Sequence, residues 1–61
     1  MYPNLEIEQG RHGHSDECVA EKLGISLQEY RSGKKSGTFA ASVANTLLDI
    51  YDKPFEYLFR Q

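Results

Sequence analysis

Between Leu27 and Lys35 the chain gathers an amide (Gln28), a guanidinium (Arg31) and two ammonium groups (Lys34 and Lys35) among small polar side chains. An amide offers a donor beside an acceptor, and a guanidinium offers a fixed fork of donors, so both can pair with flat, hydrogen-bonding edges. A lysine ammonium is a point charge suited to phosphate oxygens. Residues 27, 28 and 31 fall on one face of a helix if Ile25 and Tyr30 turn inward. Leu27, Gln28 and Arg31 then form a reading face. Ser15, Ser26, Ser32, Lys34 and Lys35 lie around it as phosphate contacts. Gln28 suits adenine, Arg31 suits guanine, and Leu27 can meet a thymine methyl group.

Other reactive side chains lead nowhere comparable. His12, His14 and Cys18 have the spacing His-x-His-x-x-x-Cys. That spacing supplies three ligands and matches no zinc pattern, so neither metal nor cofactor is expected. Asp16, Glu17 and Glu21 surround Cys18 with negative charge and disfavour its thiolate as a nucleophile. There is no glycine-rich phosphate loop and no triad. The sequence therefore carries no enzyme signature.

Charge is distributed unevenly. The net charge of the 61 residues is −2. Residues 1–30 hold Arg11 and Lys22 against six acids, whereas residues 31–61 hold five cations against three acids. Three of those cations fall within Arg31–Lys35, and a local basic patch can steer a polyanion even when the total is acidic. Cys18 is the single cysteine, so no disulfide framework exists; with no signal-like apolar run, a cytoplasmic location is expected. No stretch is long and apolar enough for a membrane span.

The elements that must carry these residues are helices. Pro3 suits a first helical turn, and a weak helix runs from Asn4 to about His12, with Leu5 and Ile7 as its apolar residues. Ser15 caps a second helix whose stripe is Val19, Ala20 and Leu23, and Gly24 stops it. Ser26 caps a third, from Leu27 to about Ser32. A polar loop, Gly33 to Gly37, follows. A fourth helix begins near Thr38 and carries Phe39, Val43, Leu47 and Tyr51 every fourth position. Pro54 suits position N1 of a last short helix with Phe55, Leu58 and Phe59. The sum is one all-α domain over residues 1–61, a compact bundle of about five short helices. Two helices crossing through a short turn need small residues at the bend, and Ala20 and Gly24 are read as buried there. Val19, Leu23, Ile25 and Tyr30 complete the core of this helix-turn-helix unit, residues 15–33.

Ala20-Glu21-Lys22-Leu23-Gly24-Ile25-Ser26 resembles the central motif of the lambda-repressor-like (Xre/Cro) helix-turn-helix family. Tyr2-Pro3-Asn4-Leu5 with Glu8, Thr38-Phe39 and Phe55-Glu56-Tyr57-Leu58-Phe59 extend the resemblance over nearly the whole length. The resemblance implies a small bacterial or phage transcriptional regulator that binds duplex DNA, at a palindromic operator, as a homodimer. The aromatic end suggests Tyr57, Leu58 and Phe59 as dimer contacts. Four positions depart from the family pattern. Asp16 stands where a phosphate-contacting glutamine is common, so its carboxylate is expected to repel DNA. Gln9 and His14 replace apolar residues, Gly33 is expected to shorten the third helix, and Glu29 adds an acid to the reading face. The alternative is a helix-turn-helix scaffold for a protein partner, as in an anti-repressor; an apolar patch flanked by acids would favour it.

Overall fold

Local signals build most of the chain. Ser15 Oγ accepts the Cys18 backbone N–H and opens α2 (Asp16–Leu23). Gly24, at φ 72°, closes it in the left-handed region, where a side chain is strained. Two residues later Ser26 opens α3 (Leu27–Ser36) with a complete capping box: its hydroxyl accepts the Glu29 N–H, and the Glu29 carboxylate accepts the Ser26 N–H. Before this pair runs α1 (Pro3–Arg11); after it run α4 (Ala41–Tyr51) and α5 (Phe55–Leu58). The computed structural model describes residues 1–61 as an all-helical bundle of 24 × 22 × 18 Å. None of the helices is long and apolar enough to cross a membrane.

α2 is the hub. It packs on α3 and on α4, while α1 meets α5 and so joins the two ends of the chain. Leu5, Val19, Ala20, Tyr30, Leu47, Tyr51 and Leu58 form the core with Tyr2. At the chain ends the Tyr2 ring stacks on Phe39 at 5.7 Å between centroids and meets Phe59 edge-on at 5.2 Å. Asn4 Nδ2 donates to the Tyr57 carbonyl at 2.8 Å, fixing α5 against the start of α1.

Several expectations need correction. α3 does not stop at Ser32; it runs one further turn, so Lys34 and Lys35 are helical residues and not loop residues. Gly33 therefore sits inside the helix, buried, and a Cβ there would collide with Phe39 Cε1. The position needs glycine for room under an aromatic ring. Gly24 is exposed, and a Cβ there would meet nothing within 4 Å. Its backbone angle requires it; the crossing of α2 and α3 is made by buried Ala20. α4 starts at Ala41, with Thr38, Phe39 and Ala40 outside the helix and Ala40 extended as its N-cap, and Pro54 is the N-cap of α5 instead of N1.

α1 inverts the usual pattern. Ile7 is 48% exposed, while Glu8 and Gln9 are buried. Buried polar groups are tolerable only when partnered. The Glu8 carboxylate accepts from the Tyr57 hydroxyl at 2.9 Å and faces Arg11 Nη1 at 3.5 Å.

Candidate nucleic-acid interface

The outer face of α3 brings together the residues singled out by their chemistry. Leu27, Gln28, Arg31, Ser32 and Lys35 line one shallow concavity of about 280 Å³. Gln28, Arg31, Ser32 and Lys35 are exposed, and Leu27 is half-buried. The capping box begins this face and leaves Glu29 occupied with the Ser26 backbone, so Glu29 acts as a cap before it acts as a surface acid. Ser15 and Ser26 spend their hydroxyls as cap acceptors. Their O–H protons remain for an outside acceptor. The helix stays regular to Gly37, which receives a side-chain hydrogen bond on its carbonyl from Gln61 at 3.3 Å.

Lys34 departs from its expected role. Its side chain is only 11% exposed, and Nζ lies 2.7 Å from Asp16 Oδ1 and 2.8 Å from Glu6 Oε1. It also sits 4.9 Å above the centre of the Tyr30 ring. Two carboxylates already satisfy this ammonium, which leaves it little capacity for phosphate. Of the α3 lysines, only Lys35 is exposed.

Asp16 is the second correction. Its carboxylate is not an unmet charge on the surface. Oδ1 accepts from Gln9 Nε2 at 2.8 Å and from Lys34, while Oδ2 accepts from Arg31 Nε at 3.2 Å. Burial pushes this carboxyl upward, but the hydrogen bonds from Gln9, Lys34 and Arg31 outweigh it and hold the group at about 2. Gln9 is in turn fixed from inside, accepting the Tyr30 hydroxyl at 2.6 Å and donating also to the His14 carbonyl at 3.2 Å. A continuous polar path thus runs from the buried Tyr30 through Gln9 and Asp16 to the exposed Arg31. Burial raises the Tyr30 phenol well above its ordinary value, so it stays a donor.

Away from α3, His14 Nδ1 lies 3.1 Å from the Tyr51 hydroxyl, and the His12 ring meets Tyr51 edge-on. Burial is the main cause that lowers the His14 pKa, helped by Lys22 and His12, and burial lifts Tyr51 to about 12. The proposed dimer contacts fare unevenly. Leu58 is wholly buried and unavailable, Tyr57 spends its hydroxyl on Glu8, and Phe59 packs among Tyr2, Phe39 and Phe55. Phe55, 58% exposed, is the aromatic residue of this segment that faces outward most.

A second groove lies beside the first and shares Gln28 and Ser32 with it. It holds about 500 Å³ and has Ile25, Phe39 and Val43 among its walls, with Ser32, Ser36 and Thr38 beside them. Its aromatic wall traces to Gly33, whose missing side chain lets Phe39 lie close to the helix. No family model, curated protein or solved structure matches the chain.

Proposed function

We propose that this protein is a sequence-specific duplex-DNA-binding regulator of transcription, with α3 as the helix that enters the major groove. The observation that carries this reading is the outer face of α3 on which Leu27, Gln28, Arg31, Ser32 and Lys35 surround one concavity lined by that helix alone. Gln28 and Arg31 are the base readers, with Leu27 as an apolar contact, and Lys35, Ser15, Ser26 and Ser32 are the phosphate contacts. One short helix spans few base pairs, so a homodimer on a palindromic operator belongs to the same proposal. Phe55 replaces Leu58 as its anchor.

Gel-shift titration against a randomised duplex pool tests the reading. Lys35→Ala should weaken every duplex alike and flatten the log–log salt dependence by about one unit. Lys34→Ala should leave that slope unchanged, because Asp16 and Glu6 already neutralise Lys34.

A second reading, a scaffold for a protein partner, is favoured by the groove walled by Ile25, Phe39 and Val43. It takes over if no duplex binds above the non-specific level at low salt.

A further inference from the structure

We propose that Asp16 is a positioning residue for base recognition: it holds Arg31 through Nε so that the two terminal amino groups are presented as a preset fork for a guanine. This rests on the reading of α3 as a major-groove helix.

The two oxygens of Asp16 divide their work. Oδ1 takes the interior donors, Gln9 Nε2 at 2.8 Å and Lys34 Nζ at 2.7 Å. Oδ2 takes Arg31 Nε at 3.2 Å. The carboxylate is therefore pinned before Arg31 reaches it. Its pins are themselves fixed, since Gln9 accepts the hydroxyl of the fully buried Tyr30 and Lys34 is clasped by Glu6 as well. Arg31 is 61% exposed beyond this anchor.

Chemistry makes the anchor point informative. A guanidinium has five donors, one on Nε and four on the terminal nitrogens. Bidentate pairing with guanine O6 and N7 can use the terminal pair, which has no partner within the chain. A free arginine must be ordered on binding, and that ordering is a large part of the cost of a specific contact. Asp16 meets the cost during folding. The electrostatics agree: Asp16 and Glu6 balance Arg31 and Lys34, so this corner is locally neutral. A neutral corner adds little to general attraction for phosphate and leaves the geometry of the fork to discriminate.

The test uses the duplex selected from a randomised pool by the intact chain, and single-base variants at every position of it. Arg31→Ala and Arg31→Lys should each abolish the preference for guanine at one position. Asp16→Asn should lower that same preference roughly threefold to tenfold relative to the other positions, over and above a uniform tightening from the lost negative charge. A general loss of folding would instead weaken all positions together, and thermal melts of each variant report that directly. For a reading that needs no variant, the Arg31 Nε–H of the free wild-type protein should show NMR order near that of rigid backbone, about 0.85. The proposal is overturned if that group is freely mobile. It is overturned equally if Asp16→Asn shifts the affinity for all sequences by the same factor and leaves the guanine preference intact, the behaviour of a carboxylate that merely repels phosphate. If Arg31→Ala weakens all duplexes equally, Arg31 grips phosphate and the proposal falls while DNA binding stands. A pool that yields no preferred duplex removes the DNA reading itself, and this proposal with it.

Discussion

Two tyrosines stack on the Phe39 ring, Tyr2 at 5.7 Å and Tyr30 at 5.8 Å between centroids, yet their hydroxyl ends are held differently. Tyr30, at the junction of α1, α2 and α3, is fully buried, and its hydroxyl starts the path through Gln9 to Asp16. Tyr2, at the chain ends, is almost as buried, yet it acts through its ring against Phe39 and Phe59. The first side is directional, and every polar group in it needs a particular partner. The second is an aromatic stack that rewards area and tolerates small changes of shape. The exposed face of α3 gains orientation from the first kind of support, because hydrogen bonds fix direction where apolar contact fixes only proximity.

The comparison breaks most easily on the apolar side by removing volume. Leu58→Ala, at a site with no exposure, should cost about 2–5 kcal/mol in a chemical denaturation series. A domain of this length has only about 3–9 kcal/mol in total, so the variant should melt far below its parent. Near-parental stability would mean that α5 contributes little to the core.

Removing one oxygen tests the polar side. Tyr30→Phe strands the buried Gln9 Oε1 without its donor and should cost about 1–3 kcal/mol. A neutral result would show that Gln9 finds another partner and that the path to Asp16 is dispensable.

Acid probes the same junction without a mutation. The Asp16 carboxyl is depressed in the fold, to about 2 from 3.8, so its contribution is complete above the unfolded value and is lost as pH falls through the folded one. The unfolding free energy from denaturation curves should decline between about pH 4 and pH 2 by up to about 2 kcal/mol from this group. In Asp16→Asn that portion of the decline should disappear. An unchanged acid profile would mean that the clasp around Asp16 does not distinguish folded from unfolded chains.

The smallest effect belongs to the matching change on the aromatic side. Tyr2→Phe keeps both ring contacts and should alter stability by no more than about 0.5 kcal/mol, measured in the same denaturation series. A loss as large as that of Tyr30→Phe would erase the contrast between the two sides.

What was legible in the residues alone follows the reach of each signal. The start of α2 at Ser15, its stop at Gly24 and the fresh start at Ser26 are local events, and local chemistry announces them. The spacing of Phe39, Val43, Leu47 and Tyr51 likewise announces an inward face, although Phe39 lies in the turn before α4. The last turn of α3 is different. Gly33-Lys34-Lys35 has the composition of a loop, and only a ring six residues onward explains why a glycine there continues a helix. Asp16, Gln9 and Lys34 are each unremarkable as single polar residues. Their meaning lies in contacts among three helices, which no spacing along one helix encodes. The Ser26-x-x-Glu29 box was within reach of spacing, since a serine followed three residues later by a glutamate at a helix start is its signature. Glu8 and Gln9 pointing inward while Ile7 faces out was not, because hydrophobic periodicity ranks them the other way.

Gly33 and Phe39 also set a rule for how this chain can vary. A methyl group at 33 collides with the ring at 39, so neither position is free to drift while the other stays. A sequence carrying alanine or anything larger at 33 must have lost the ring, moved it, or respaced the turn between α3 and α4. Even with a smaller side chain at 39, a Cβ at 33 would lie 3.0 Å from the Thr38 carbonyl, so the turn must also give before alanine's helix preference of about 1 kcal/mol is realised. The two residues therefore form a single inherited unit, and in any collection of relatives they should be found changing as a pair.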